Sequence, residues 1–287
     1  MICNMCAKKC NALRDKNSAC GQCGMPQTLK IAHYQLFKSE EPCISLNKGS
    51  GAIFFSGCNL NCVFCQNYEI SALKKGKEIS ISQLAQIFKE LETLGAENIN
   101  LVSPSHYALQ IVESLKLYKP KIPIIYNTNA YENVETIQYV AKYVDVFLPD
   151  FKYVDSNLSK MFSNVSDYYV VALRAILKMR ELKQDVFAEN GKILQGVIIR
   201  HMILPLCIKD SCDVLKTIAE HLPNTRVSLM AQYTPFAKAK EIKQINRKIT
   251  KREYQTVLNE YNRLGLDGYV QDLTSATTDY IPKFKFI

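Results

Sequence analysis

Short apolar segments alternate with longer amphipathic segments over most of the chain after residue 51. Six of the apolar segments have the length of strands, at residues 52–56, 98–103, 122–127, 144–149, 196–204 and 226–232. A continuous apolar run of this length is typical of a strand that is buried on both faces. The pattern therefore predicts six strands of one buried parallel sheet.

The segments between these strands carry apolar residues at helical spacing. In residues 82–91, the apolar side chains Leu84, Ile87, Phe88 and Leu91 share one helical face. The same spacing recurs in residues 107–119, 133–143, 167–182 and 212–222. Strands that alternate with helices predict an α/β fold with right-handed crossovers. The pattern alone allows either a doubly wound sheet or a barrel.

The two ends of the chain depart from this alternation. Residues 250–265 predict one more helix, because Thr250 and Glu253 have the spacing of a capping box. The tail after this helix carries Tyr280, Phe284 and Phe286 and has no clear periodicity. We predict a barrel domain at residues 48–235 and a C-terminal helix and tail at residues 236–287.

The first 30 residues are polar and contain Cys3, Cys6, Cys10, Cys20 and Cys23. Such a segment cannot build a hydrophobic core, so a bound metal would have to hold its fold. We predict that residues 1–47 form a cysteine-rich metal-binding knuckle followed by a linker. Four of the five thiols would fill the site.

Two ligand sets are compatible with this knuckle. Cys3 or Cys6, combined with the Cys20-x2-Cys23 pair, resembles a zinc ribbon. Cys3, Cys6, Cys10 and Cys23 would instead suit an iron–sulfur cluster. The second metal is therefore zinc or iron–sulfur, and the spacing does not choose between them.

The overall composition is that of an ordinary globular protein. The 287 residues are 47% hydrophobic and 22% charged, and no apolar run has the length of a membrane span. The N-terminus lacks a signal-peptide pattern, which predicts a cytoplasmic location. Thiols stay reduced there, so eleven cysteines indicate metal binding rather than disulfides.

The formal net charge of +9 is compatible with an anionic substrate or with nucleic acid. The basic residues are spread along the chain, and no strand interleaves them with aromatic residues as an RNA-binding sheet does. Nucleic acid is therefore not the favoured partner. A zinc-stabilised nucleic-acid-binding module stays as an alternative of a different class, motivated by the knuckle and the charge.

The strongest chemical motif is a loop that leaves the first predicted strand. It carries Cys58, Cys62 and Cys65 in a Cys-x3-Cys-x2-Cys arrangement. Closely spaced thiolates favour zinc or iron–sulfur chemistry. Because a four-iron cluster has four sites for protein ligands, three cysteines leave one iron free to bind another group. A redox carrier with two clusters is a further alternative.

This spacing, with Phe64 immediately before the last cysteine, resembles the radical S-adenosylmethionine (SAM) enzymes. The resemblance implies a partial (β/α)6 barrel and a [4Fe-4S] cluster on Cys58, Cys62 and Cys65. It implies that the open iron binds SAM, whose reductive cleavage gives a 5′-deoxyadenosyl radical for hydrogen abstraction. It also implies an electron donor such as flavodoxin or ferredoxin.

Polar residues follow the third, fourth and fifth predicted strands, where a barrel would have its active site. These residues are Asn127, Asn129, Asp150, Lys152 and Arg200. Because neighbours on a strand point to opposite faces, Arg200 and His201 cannot both face the interior. A charge on an apolar strand is costly unless it is paired, which indicates a functional site.

The segments 127–130 and 150–152 resemble motifs of glycyl-radical-enzyme activating enzymes. Asn127 stands where those enzymes have an aspartate that helps to bind a monovalent cation. Their Gly-Gly-Glu motif is also missing from residues 102–106. Segments 40–45, 54–60 and 65–71 resemble a branch of the superfamily grouped with pyruvate formate-lyase activating enzymes.

This second resemblance implies roles for Asp150, Lys152 and Arg200. We predict that the SAM pocket contains Phe64, Ser103, Asn127, Asn129, Asp150 and Arg200, and that Lys152 or Tyr233 acts on the substrate side. The substrate is either a glycyl radical enzyme or, equally, a peptide or a small molecule.

Overall fold

The computed structural model describes residues 2–15, 19–278, 284 and 286. Its strands are β1 Ile2–Cys3, β2 Ala12–Leu13, β3 Leu29–Phe37, β4 Ser50–Phe55, β5 Lys77–Ile79, β6 Ile99–Val102, β7 Ile124–Thr128, β8 Val146–Pro149, β9 Val186–Phe187, β10 Ile193–Met202, β11 Arg226–Met230 and β12 Gly268–Val270. Its α-helices are α1 Tyr68–Ser71, α2 Ile81–Thr93, α3 Ala108–Leu117, α4 Val134–Val140, α5 Ser156–Ser163, α6 Tyr168–Leu182, α7 Ile208–His221 and α8 Lys251–Arg263.

The six predicted strands are present and form one parallel sheet. Their order is β11-β10-β8-β7-β6-β4, with β12 added in parallel beside β11. The antiparallel strands β3 and β5 continue the sheet beyond β4. The amphipathic helices also form as predicted, and both α2 and α8 begin with a capping box, at Ser80 and Thr250.

Strand β3 lies within residues 1–47, for which the sequence predicted a knuckle and a linker but no strand. It pairs with β4 from Ile31↔Phe55 to Phe37↔Ser50. The sequence pattern missed this strand because polar residues such as His33 and Gln35 interrupt it, and these side chains are only half-buried. The domain boundary at residue 48 stays a prediction.

Side chains alternate between the inside of the sheet and the helices, as a barrel requires. Ile125 packs with other inward-facing residues, whereas its neighbour Tyr126 packs on the helix side. In the same way Ile198 faces inward and Ile199 outward. The fold is therefore an α/β partial barrel, curved around an interior that its inward-facing residues line.

A short stretch of chain closes the lower end of this interior, and we call residues 39–45 the floor segment. Its residues Cys43 and Ile44 pack among the inward-facing residues of β7, β8 and β10. The Ile193 amide donates to the Cys43 carbonyl at 3.1 Å, and Asn98 Nδ2 donates to the Ile44 carbonyl at 2.8 Å. The floor segment is thus anchored where β6 and β10 begin.

The N-terminal segment lies against α4 on the outside of the barrel. Asn133 Nδ2 donates to the Asn4 carbonyl at 2.6 Å, and Thr136 Oγ1 donates to the Met5 carbonyl at 2.7 Å. Strands β1 and β2 pair with each other in a separate two-stranded sheet. Among the described residues, no helix combines the length and the apolar character that crossing a bilayer needs.

The C-terminal extension returns to the barrel. Its aromatic residue Phe284 packs edge-on against Phe54 of β4, with ring centroids 5.3 Å apart. Tyr280, which the sequence pattern left without a position, lies outside the described residues.

Candidate functional site

A cavity of about 700 Å³ opens at the carboxyl ends of the parallel strands. Most of the predicted site residues line it, namely Cys58, Cys62, Phe64, Cys65, Ser103, Asn127, Asn129, Asp150, Lys152 and Arg200. The floor segment lines it from below through Ser39, Glu40, Glu41 and Pro42. Parallel topology brings together residues as far apart in the chain as Cys58 and Arg200, because successive strands end at the same edge.

The cysteine loop leaves β4 through Gly57, whose φ of +82° is in the left-handed region. A Cβ at this position would lie 2.2 Å from Met25 Cγ, so the knuckle presses directly on the backbone of the loop. This close approach fixes the path along which Cys58 enters the cavity.

Each thiol of the loop has a polar partner from another part of the chain. Cys58 Sγ accepts from Asn129 Nδ2 at 3.4 Å. Cys62 Sγ lies 3.0 Å from Ser163 Oγ, and Cys65 Sγ lies 3.2 Å from Ser71 Oγ. Hydrogen bonds to sulfur stabilise thiolates and tune iron–sulfur clusters.

Burial opposes ionisation of these thiols in the free protein. Burial, and then the nearby Cys62, raise the pKa of Cys65 to about 11. Burial also raises the pKa of Cys62, although the positive charge of Lys152 acts against it. A bound metal would supply the missing positive charge, because coordinated thiols are deprotonated.

The donor set fits a cluster better than a single ion. Within residues 2–15 and 19–278, no three Cys, His, Asp or Glu side chains converge closely enough to hold one metal ion. In a four-iron cluster each thiolate binds its own iron, so the sulfurs stand apart around the cluster. Three thiols on the wall of a spacious cavity fit such a cluster and leave its fourth iron facing the cavity.

Asp150 lies at the centre of the charged wall of the cavity. Its carboxylate accepts from Lys152 Nζ at 2.7 Å and from Arg200 Nε at 2.9 Å. Burial alone would raise the pKa of Asp150, but the two cations outweigh burial and lower it. The carboxylate is therefore ionised at neutral pH, and the inward position belongs to Arg200. His201 points outward and its Nδ1 donates to the Phe151 carbonyl at 2.8 Å.

Arg200 also reaches two other walls of the cavity. Its Nη2 donates to Asn127 Oδ1 at 2.6 Å, and its Nη1 lies 3.6 Å from a carboxylate oxygen of Glu40. Asn100 Nδ2 donates to the other Glu40 oxygen at 2.8 Å. Burial, and then the neighbouring Glu41, raise the pKa of Glu40 to about 7.

Glu40 is a site residue that the sequence analysis did not identify. Residues 40–45 contribute there only to the family resemblance. The signal that could have found it is the pair of acidic residues beside Pro42, next to an apolar Cys-Ile segment. Glu40 lies under the cavity because tertiary contacts hold the floor segment there. The local pattern of apolar and polar residues gives no information about such contacts.

The remaining predicted residues differ in their placement. Ser103 lines the cavity with a left-handed φ of +58°, and its amide donates to the Asn127 carbonyl at 3.0 Å. Phe64 is 5% exposed and packs against Tyr153, with ring centroids 6.4 Å apart. Tyr233 is 1% exposed, does not line the cavity, and donates its hydroxyl to the Ile245 carbonyl at 2.7 Å. We therefore leave Tyr233 out of the proposed chemistry.

Comparisons with known proteins place this site in context. A family model described as the Radical SAM superfamily matches residues 52–205. An uncharacterised protein of Methanocaldococcus jannaschii is 29% identical over 92% of this chain and 75% of its own length. A pyruvate formate-lyase-activating enzyme of Clostridium pasteurianum is 24% identical over 77% of this chain and 82% of its own length.

Solved structures share the fold. Streptococcus suis SuiB bound to its precursor peptide SuiA has a TM-score of 0.53 at 14% identity, over 76% of this chain and 48% of that chain. HydG, a maturase of the [FeFe]-hydrogenase, has a TM-score of 0.52 at 14% identity, over 75% of this chain and 49% of that chain. The chain spans about half of the length of these two proteins, so the likeness concerns the barrel.

Proposed function

This chain belongs to the Radical SAM superfamily, and we propose that it cleaves SAM reductively in the cavity at the carboxyl ends of the barrel strands. It is a radical SAM enzyme, and the family implies a [4Fe-4S] cluster and SAM as cofactors. The observation that carries the proposal is the position of Cys58, Cys62 and Cys65. All three line the same cavity as the Asp150–Arg200 pair.

The chemistry that a cluster and SAM supply is one-electron cleavage of SAM to methionine and a 5′-deoxyadenosyl radical, which abstracts a hydrogen atom from the substrate. Cys58, Cys62 and Cys65 hold the cluster in this proposal. Asn129 and Ser163 donate hydrogen bonds to the sulfurs of Cys58 and Cys62, and such bonds tune the reduction potential of a cluster. The protein contributes orientation and the exclusion of water.

The polar wall binds and orients SAM. Asp150 supplies an ionised carboxylate for a cationic group, and Arg200 supplies N–H donors for a carboxylate. Asn127 and Ser103 add neutral donors and acceptors beside them. Phe64 offers an aromatic surface at the cavity wall for the adenine ring.

Lys152 is placed to act on the substrate side. Its ammonium group binds Asp150 at 2.7 Å. The carboxylate raises the pKa of Lys152 more than burial lowers it, so the lysine stays charged. A charged lysine on the wall orients an electron-rich group of the substrate. It also offsets the negative charge of the thiolates.

The core of the proposal is tested by reductive SAM cleavage. The anaerobically reconstituted protein, with dithionite and SAM, is expected to form 5′-deoxyadenosine and methionine. Cys62→Ala should abolish both products. Cys212→Ala, which changes a half-buried thiol on α7 away from the cavity, is the matched control and should retain them. Equal product formation by Cys62→Ala would overturn the site assignment.

For the substrate, we propose a glycyl radical enzyme whose glycine loop enters the cavity. The support is the sequence relative named as a pyruvate formate-lyase-activating enzyme, together with the open cavity edge. Incubation with pyruvate formate-lyase as the probe should give a glycine-centred electron-spin signal. SAM cleavage without that signal would refute this substrate and favour a peptide or a small molecule.

A further inference from the structure

The interior of the N-terminal knuckle is built largely from sulfur. In residues 2–15 and 19–28, the buried apolar side chains are Cys3, Cys6, Ala12, Cys23 and Met25. The regular structure there consists of β1 and β2, with two residues each. An isolated two-stranded ribbon with so small a core is not stable by itself.

Contacts place three of the five knuckle thiols around one small gap. The position of a Cβ on Gly21 would be 3.3 Å from Cys10 Sγ and 4.0 Å from Cys23 Sγ. The same position would be 3.5 Å from Ala12 Cβ, and Ala12 pairs with Cys3 across β1 and β2. Cys6 is buried, whereas Cys20 is exposed.

A buried guanidinium lies beside these thiols. Arg14 is 0% exposed, and its Nη1 donates to Cys3 Sγ at 3.5 Å and to the His106 carbonyl at 2.8 Å. Four thiolates around a cluster carry net negative charge, and a buried cation offsets that charge where solvent cannot.

From these contacts we propose that Cys3, Cys6, Cys10 and Cys23 bind a second iron–sulfur cluster, that Arg14 is its buried counter-charge, and that Cys20 is not a ligand. Four thiolates suit such a cluster, because each binds its own iron, whereas no three of the described side chains here converge on a single ion. This choice of thiols replaces the zinc-ribbon ligand set that includes Cys20.

The proposed centre also has a structural role for the cysteine loop. Cys23 precedes Met25 by two residues, and Met25 packs against the backbone of Gly57. Cys23 further shares a surface cleft with Asn61 of the loop. Metal binding in the knuckle would therefore keep Met25 against Gly57, and this contact fixes the path along which Cys58 enters the cavity.

Metal content tests the proposal independently of SAM chemistry. The background is the full chain with Cys58, Cys62 and Cys65 changed to alanine, purified without oxygen. It is expected to retain about four iron and four sulfide per chain. Iron and sulfide in that amount support the proposal. Zinc alone, or no bound metal, would overturn it.

Two matched variants in that background test the ligand set. Cys23→Ser should lower the metal content at least about tenfold, the equivalent of about 1.4 kcal/mol or more of binding free energy. Cys20→Ser should leave the metal content unchanged. Equal losses in both variants, or full retention in Cys23→Ser, would overturn the assignment.

Alkylation of the unmutated knuckle keeps the test valid if Cys23→Ser fails to fold. Iodoacetamide should modify exposed Cys20 at once, and half-buried Cys10 only after a chelator is added. Mass spectrometry of the peptides reads both sites. Alkylation of Cys10 at the same rate with and without chelator would contradict a metal on its sulfur.

Discussion

Arg200 and Asp150 form the central ion pair of the cavity, with Arg200 Nε 2.9 Å from Asp150 Oδ1. The pair joins the ends of two neighbouring barrel strands, β10 and β8, where the two residues also form a backbone bridge. The same guanidinium contacts Asn127 on β7 and Glu40 of the floor segment. One side chain thus organises three walls of the cavity.

Arg200→Lys is expected to weaken SAM binding. A lysine keeps the positive charge but cannot donate to Asp150, Asn127 and Glu40 from one planar group. We expect a loss of affinity of about tenfold or more, about 1.4 kcal/mol, with the iron content unchanged. Calorimetric titration of the reconstituted protein with SAM measures this loss. Arg263→Lys, in an exposed ion pair on α8, is the control. Equal affinity in Arg200→Lys and the unmutated protein would contradict the prediction.

Glu40→Gln is expected to flatten the pH dependence of stability above pH 5. The pKa of Glu40 is about 7 in the folded protein, above its ordinary value of 4.5. Between these values the folded state keeps a proton that the unfolded state releases, so stability falls as pH rises. Urea unfolding should show that the free energy of unfolding falls less between pH 5 and pH 8 in Glu40→Gln than in the unmutated protein. Glu220→Gln, at an exposed position of α7, is the control and should show the same fall as the unmutated protein.

His106 is expected to contribute to acid unfolding in the opposite sense. Burial lowers its pKa from 6.5 to about 3, and its Nε2 donates to the Ser56 carbonyl at 2.7 Å. The unfolded state therefore binds a proton that the folded state does not bind, so the free energy of unfolding falls as the pH drops below about 6.5. The slope for one such group is at most about 1.4 kcal/mol per pH unit.

The measurement is the free energy of unfolding at several values of pH between 7 and 4. His106→Gln should reduce the slope, whatever its effect on stability at pH 7. His221→Gln, at the exposed end of α7, should leave the slope unchanged. If the two variants have the same slope, burial of His106 is not a source of the acid sensitivity.

Gly57→Ala is expected to destabilise the protein and to displace the cysteine loop. The left-handed φ of +82° alone costs a residue with a Cβ about 1–2 kcal/mol. The contact with Met25 adds about 1–3 kcal/mol, because this side chain is buried in the core. Gly191→Ala separates the two effects, since Gly191 has a φ of +81° with nothing within 4 Å of a Cβ.

Denaturant midpoints and iron content measure the outcome for the two glycine variants. Gly191→Ala should lose stability but bind iron normally. Gly57→Ala should lose more stability and also bind less iron after reconstitution. Equal denaturant midpoints for the two variants would show that the Met25 side chain moves away from the new Cβ at no cost in stability.

The sequence pattern predicted the parallel sheet well because buried parallel strands produce apolar runs that few other structures produce, and the family resemblance predicted the barrel. Alternation along a strand predicted that Arg200 and His201 point to opposite faces, and the structure puts Arg200 inside. The same rule could have corrected Tyr233, because Ser228, Met230 and Gln232 line the cavity and residue 233 then points away.

What the sequence could not predict depends on contacts between distant segments. Strand β3 carries polar residues on a half-exposed face, so its pattern is weaker than that of the central strands. Glu40 enters the cavity only because Cys43 and Ile44 are packed inside the barrel. Neither relationship leaves a periodic signal in the chain.

The floor segment has a consequence for how this fold can diversify. It supplies Glu40, Glu41 and Pro42 to the cavity but belongs to none of the barrel strands. Its hydrogen bonds to the barrel run largely through backbone carbonyls, such as those of Cys43 and Ile44. New side chains at positions 40–42 would therefore leave that attachment intact. The charge and shape of the lower cavity can thus change at these three positions while the residues of the barrel strands stay the same.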